Sequence, residues 1–322
     1  MEIQFYNKSE ELPSLLKGDF FHSQEWFRII EKVPGKSPIM AVAYNSDGKI
    51  MGQMVVVVFR KSSLFPPYIY THARVYGSGI YASDDMEQEI FPQLLHTITH
   101  RLNRRLCFCI EFCNLPKKMY GYRSFRNEGF IPLPWQEIHN SLHSKVPEER
   151  LNEKQKARIE KLHEKGVETH IAQTEEDLIA FHRLLKNYYS LKIKHDLPTL
   201  AFLKDLQASK NGDVFLTTYK NKLIGGCSCI YNRGNAYLWH LAAKRKSYAL
   251  YSPNLMTVWG AIKYAKAKNY AHIYFMNVGF PWKKNPKREF FLNFGGKPVA
   301  KYRWFRFYSK FINRIVGWIY KE

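Results

Sequence analysis

The sequence is short of acidic side chains. It sets 28 Asp and Glu against 49 Lys and Arg, a formal net charge of +21 over 322 residues. Such an imbalance favours an anionic partner: nucleic acid, a phosphate-bearing cofactor or an anionic membrane surface. A solvated basic surface on an ordinary enzyme fits the charge as well. Long apolar runs are also missing. The longest, Met54-Val-Val-Val-Val-Phe59, is strand-sized, so no window reads as a membrane-spanning helix. Met1-Glu-Ile-Gln-Phe-Tyr6 shows no basic stretch followed by an apolar one, so the expectation is a cytoplasmic protein. Cysteines are few: Cys107, Cys109, Cys113, Cys227 and Cys229. Their C-x-C spacing lacks the C-x-x-C and His pattern of a zinc site, so no metal is expected, and reduced, buried thiols are. What is plentiful is core material: 45% hydrophobic and 16% aromatic residues, enough for two ordinary domains or one large one.

The second half repeats the plan of the first. Late in the chain a helical run, Ala261 to Asn269, leads into an apolar strand, Ala271 to Met276. A basic loop and Phe291-Leu-Asn-Phe-Gly-Gly296 follow. Earlier, Gln93 to Arg104 leads into Leu106 to Phe112, a basic loop, then Phe125-Arg-Asn-Glu-Gly-Phe130. Repetition at this length means two copies of one α/β unit, and a cleft between copies is a natural place for a site.

Periodicity fills in the rest. Ile3 to Tyr6 reads as a strand, and Ser23 to Val33 as an amphipathic helix with a Ser cap. Pro38 to Tyr44 and Ile50 to Arg60 form a hairpin across Asn45-Ser-Asp-Gly48, and Tyr68 to Ile80 is strand-like. Pro132 to Pro147 reads as a transition before a charged helix, Glu148 to Gly166. A strand, Glu168 to Gln173, and helices Glu175 to Lys192 and Thr199 to Lys210 follow. Next comes a meander: Asp213 to Tyr219, Lys222 to Tyr231, Asn235 to Ala243. The tail, Lys301 to Lys321, mixes aromatics with cations. As a helix it would either lie in a membrane interface or pack its aromatics on the domain.

The order β-α-α-β-β-β-α-β in the second half is that of Gcn5-related N-acetyltransferase (GNAT) folds. Arg158-Ile-Glu-Lys161, Phe181 to Tyr189, Tyr237-Leu-Trp-His240, Tyr251-Ser-Pro-Asn254 and Phe291-Leu-Asn-Phe-Gly-Gly296 resemble the FemAB/FemX family, which itself resembles a BioF2-like acetyltransferase group. The resemblance implies an α/β (α+β) architecture: two tandem GNAT-like domains with mixed central sheets flanked by helices. The division expected is 1–147, an acceptor platform, and 148–322, the donor and catalytic domain. The best-known members pass an amino acid from aminoacyl-tRNA to an amino group of a peptidoglycan precursor; others are assigned as acyl-CoA-dependent transferases. Departures from the family pattern stand at Tyr274-Phe275, where an Asp-Phe pair is common, and at Phe290-Phe291, where Phe-Lys is common. Lys244 to Pro253 holds the place of the pyrophosphate loop of CoA-binding acetyltransferases but has no glycine. Without glycine, backbone amides do not wrap a diphosphate closely, which suits a tRNA donor or an unusual acyl donor.

Acyl transfer to an amine needs a base, a hydrogen-bond donor for the carbonyl oxygen, and alignment. In GNAT folds a splayed strand supplies backbone N–H groups, here Asn235 to Ala243. His240, Tyr274 and Asn277 are the catalytic candidates; each also reads as an ordinary strand residue. Lys283, Lys284, Lys287 and Arg288 flank Asn285-Pro286 and form the candidate donor or phosphate site, or else a solubilising loop. Arg158 and Lys161 share a helical face and are candidates for acceptor phosphates, although Glu160 and Glu164 dilute the charge. Asn254 reads as a helix cap.

The expected activity is FemAB-like transfer of an acyl or aminoacyl group to an amine of a cell-envelope precursor. No tightly bound cofactor is expected, the donor being aminoacyl-tRNA or acyl-CoA. One alternative is an acyl-CoA-dependent N-acyltransferase acting on a sugar, amino acid or lipid. Another is a non-catalytic RNA- or membrane-binding protein on a degenerate scaffold. Peripheral contact with an anionic membrane at its inner face accompanies the first reading.

Overall fold

The computed structural model describes residues 1–60, 71–190 and 197–320. The chain divides into two compact units, Met1–Trp135 with Ala300–Glu322, and Gln136–Val299.

The first unit runs β1 (Glu2–Tyr6), α1 (Gln24–Glu31), β2 (Lys36–Tyr44), β3 (Ile50–Phe59), β4 (His72–Tyr76), β5 (Ile80–Tyr81), α2 (Asp84–Arg104), β6 (Cys109–Cys113) and α3 (Tyr122–Asn127). Ser23 caps α1 through Trp26 N at 3.1 Å, and Trp26, Phe27, Ile29 and Ile30 bury the face that periodicity marks. Asn45 closes the β2–β3 hairpin by accepting from the N–H groups of Asp47 and Lys49. The start of the expected strand at Tyr68 lies outside the described residues. The long α2 lays Phe91, Leu94, Leu95 and Ile98 on Ile39, Ala41, Val56 and Phe112 of the sheet. The strand after α3, β7 (Ile131–Ser141), carries the chain into the second unit.

There α4 (Glu153–Glu164), β8 (Val167–Ile171), α5 (Glu175–Tyr189), α6 (Leu200–Ala208), β9 (Gly212–Tyr219), β10 (Lys222–Asn232), β11 (Asn235–Ala243), α7 (Pro253–Ala267) and β12 (His272–Phe275) follow the order read from the sequence, and a short helix, α8 (Pro286–Leu292), stands where the end of the basic loop was expected. A Cβ on Gly225 would stand 2.6 Å from Thr257 of α7, and one on Gly226 would stand 2.8 Å from the Phe181 ring of α5. Neighbouring glycines thus let helices press on opposite faces of β10. The end of the expected helix at Leu191 and Lys192 lies outside the described residues. All five cysteines are buried and none is in a disulfide.

The two units share one plan. In the first, strands are ordered β1-β2-β3-β4-β6; in the second, β8-β9-β10-β11-β12. Each is antiparallel except for its last pair, β4 with β6 and β11 with β12, which is parallel. The closing strands are exchanged. The strand that follows β6 in sequence, β7, pairs with β12 through residues 138–141. The strand that follows β12, β13 (Lys297–Phe307), pairs with β6.

This exchange corrects two expectations. The units divide near 136 and 300, whereas a division at 147/148 was expected, because β13 and the final helix α9 (Lys310–Ile319) return to the first unit. The tail is a strand and then a helix, rather than one helix. Tyr302 and Trp304 are buried with a period of two, and Trp304 stacks on Phe125 at 4.7 Å.

Candidate active site

In the second unit β11 is interrupted. Cys229 of β10 faces Leu238 and Ser228 faces His240, so Trp239 is an extra residue on β11. This bulge turns both Leu238 and Leu241 toward the core under α7. Parallel pairing with β12 spans only Asn235–Tyr237 against His272–Tyr274, although β11 continues to Ala243. The equivalent pair in the first unit, β4 with β6, stays paired over His72–Tyr76 and Cys109–Cys113. The strands therefore part in the second copy and not in the first.

A cavity of about 460 Å³ fills the place where they part. Leu238, Trp239 and Leu241 wall it from β11, and Phe275, Met276 and Asn277 from β12 and the turn after it. Tyr189 of α5 crosses the opening and donates its hydroxyl to the Leu241 carbonyl at 3.3 Å, so that carbonyl points away from β10 into the gap. A strand residue's N–H and C=O lie toward the same side, so this edge of β11 presents backbone donors to a guest. The floor is the buried Phe291, stacked on Phe275 at 4.2 Å. The departure at Phe291 thus serves packing. Lys287 and Arg245 add positive charge to the wall.

Comparison with known proteins agrees with this geometry. Residues 150–284 match the acetyltransferase (GNAT) domain family. This stretch has the GNAT fold. No protein of curated function matches the sequence. Among solved structures, FemX aligns over 98% of this chain and 100% of its own, with 12% identity and a TM-score of 0.67. L-PGS from Bacillus licheniformis aligns over 92% of each chain, with 11% identity and a TM-score of 0.61. A tandem GNAT protein from the clavulanic acid biosynthesis pathway covers 96% of this chain and 99% of its own, at 9% identity and a TM-score of 0.55. The FemX-like tandem fold expected from the sequence is the fold present.

Within the second unit the expected residues separate. Asn277 and Lys287 line the cavity. Arg288 does not offer its guanidinium to a ligand: it donates to Gln136 Oε1 at 2.6 Å and to the carbonyls of Phe280 and Lys283 at 2.9 and 2.7 Å. It holds the basic loop in place. Lys283 and Lys284 are exposed on that loop, the Lys283 ammonium 5.9 Å from the Phe280 ring centre. Arg158 donates to Ser252 Oγ at 2.6 Å, beside the start of α7, while Lys161 is exposed on α4. Asn254 is not a cap, since Ser252 holds that position. Its Oδ1 is buried at the cavity wall without a hydrogen-bond partner. A guest N–H would satisfy it. Asn254→Ala is expected to raise the donor KM roughly five-fold, about 1 kcal/mol, without lowering the unfolding midpoint. Steady-state kinetics and a thermal melt check both halves.

His240 and Tyr274 stand on the opposite face of the sheet from the α7 core. His240 Nδ1 lies 2.8 Å from Ser228 Oγ, its ring edge-on to Phe202 of α6, and it does not line the cavity. Tyr274, with Tyr237, is the last paired residue before the strands part. Its ring lies 4.1 Å from that of His139, whose Nε2 is 2.9 Å from Glu137 Oε2. Glu137 is buried on β7. Burial first, and then the Glu137 charge, raise the Tyr274 phenol above its ordinary value, so it is a proton donor at neutral pH. Glu137 and His139 were missed, because Pro132 to Pro147 read as a transition. The signal was present as alternation: Glu137, His139 and Ser141 face one way, Ile138 and Asn140 the other.

Proposed function

We propose that the GNAT domain moves an acyl or aminoacyl group from a phosphate-bearing donor to an amine on a cell-envelope precursor. The observation that carries this is the bulged β11 parting from β12 over a cavity rimmed by Arg245 and Lys287. The donor's acyl end enters the gap, and β11 N–H groups polarise its carbonyl. The amine approaches where Tyr237 and Tyr274 end the pairing. Its nitrogen attacks the carbonyl carbon and forms the C–N bond, and His139, held by Glu137, takes the proton. The bond from carbonyl carbon to the leaving oxygen or sulfur breaks, and Tyr274 protonates that atom. The first unit serves as acceptor platform. FemX and L-PGS, which share the fold, support an envelope acceptor, as does the FemAB-like order of motifs.

A second reading, an acyl-CoA-dependent N-acyltransferase, is favoured by one observation. The start of α7 reaches the cavity at Asn254, behind the exposed Lys244, Arg245 and Lys246. Native mass spectrometry and turnover with aminoacyl-tRNA and with acyl-CoA separate the two. Product from aminoacyl-tRNA is the expected result. Tight, productive binding of acyl-CoA replaces the tRNA donor, and turnover with neither overturns acyl transfer altogether.

A further inference from the structure

We infer that α9, with the turn between α2 and β6, docks this protein on an anionic membrane surface; the inference stands whichever donor is used. The argument begins with the orientation of α9. No residue of this helix is buried. Its inward side is held by modest groups: Asn313 Nδ2 donates to the Gly129 carbonyl at 2.9 Å, Asn313 Oδ1 accepts from Phe307 N at 3.1 Å, and Gly317 faces Ile131. Ile312 and Val316 are half-buried, while both the phenyl and the indole of the helix point out. Phe311 is 72% exposed, Trp318 73% and Ile319 57%, with Ile315 beside them. Positions 311, 315, 318 and 319 share one helical face. A helix packed on a soluble domain turns its large apolar side chains inward, and this one does the reverse.

Charge selects the occupant. Lys310 and Arg314 are exposed on the same helix, and residues 297–320 contain no acidic side chain. The neighbouring turn continues the pattern. Tyr308 N donates to the Phe108 carbonyl at 2.9 Å, which sets the start of α9 beside that turn, where Leu106 is exposed directly after Arg104 and Arg105. A second copy of this chain would set these cations against their own kind. Anionic headgroups neutralise them while the acyl boundary takes Phe311, Ile315, Trp318 and Ile319. Among the described residues no helix is long and apolar enough to cross a membrane, so the contact is peripheral.

Co-sedimentation with phosphatidylcholine vesicles, with and without phosphatidylglycerol, tests this. The full chain is expected to bind the phosphatidylglycerol vesicles at least about ten-fold better, with added salt weakening the binding. F311S/W318S should lose about ten-fold or more on those vesicles at an unchanged unfolding midpoint, since both side chains are exposed. K310E/R314E should lose the preference for anionic lipid. Failure of the full chain to bind phosphatidylglycerol vesicles overturns the inference, and so does equal binding by F311S/W318S. A dimer in light scattering that F311S/W318S converts to monomer, without vesicle binding, assigns the face to a second copy instead.

Discussion

Replacing His139 with glutamine is expected to lower kcat by about 10²- to 10⁴-fold while the fold survives. Imidazole is the side chain suited to exchanging a proton in the neutral range, and a nearly buried carboxylate at 2.9 Å orients it. His139 lies against Tyr274, at the end of the β11–β12 pairing, where the proposed mechanism brings acyl group and amine together. Glutamine keeps a donor for Glu137 but cannot carry the proton. His139→Ala removes that donor too, and mixes loss of catalysis with about 1–3 kcal/mol of lost stability. The pH–rate profile separates a catalytic from a structural role. Loss of the base removes the ascending limb, whereas a merely loosened site lowers the whole curve. His240→Ala is the control on the same face, where Ser228 supplies a hydroxyl and no charge. A large loss there beside a normal H139Q would move the base to His240.

Much of the second unit was legible because its elements are set by local pattern. The α5 periodicity and the β9–β10–β11 meander stand where the sequence puts them. What escaped depends on partners distant in sequence. The bulge at Trp239 is a matter of register against β10, and nothing in Tyr237-Leu-Trp-His240 says which residue will be extra. Arg288 looks like a free cation until Gln136, from β7, accepts from its Nη1. Strand β7 opens with Pro132 and Pro134, which read as loop chemistry, so Glu137 and His139 went unnoticed. Strand β13 buries Tyr302 and Trp304 between half-buried neighbours, but its cations and aromatics also fit a helix until β6 is there to pair with it.

The same long-range pairing makes Glu111 the most consequential single charge in the first unit. Glu111→Gln is expected to destabilise the protein by about 3 kcal/mol near neutral pH, the low end for breaking a buried ion pair. Glu111 is 2% exposed at the middle of β6. Arg74 of β4 meets it at 2.7 Å, His72 of β4 at 3.1 Å, and Arg303 of β13 at 3.3 Å. Burial alone would raise its pKa. Arg74, the His72 contact and Arg303 outweigh that and hold the carboxyl well below the ordinary carboxylate value of 4.5. Arg74 and His72 are each near 30% exposed, so water relieves part of their loss and the lower figure applies. The sign with pH follows from the depressed value. The contribution is complete above the ordinary carboxylate pKa and drains away as pH falls below it, because the unfolded chain takes up the proton first. Urea unfolding of both proteins at pH 7 and at progressively lower pH should therefore show the gap between them closing in acid. A gap that stays constant would mean the loss comes from packing and not from charge. Because Arg303 ties β13 to this carboxylate, the variant should also expose β13 and α9 amides to faster hydrogen exchange than the rest of the unit. The helix with the outward aromatics follows a strand that is tied down by its pairing with β6, by Trp304 and by the Arg303 contact with this buried glutamate.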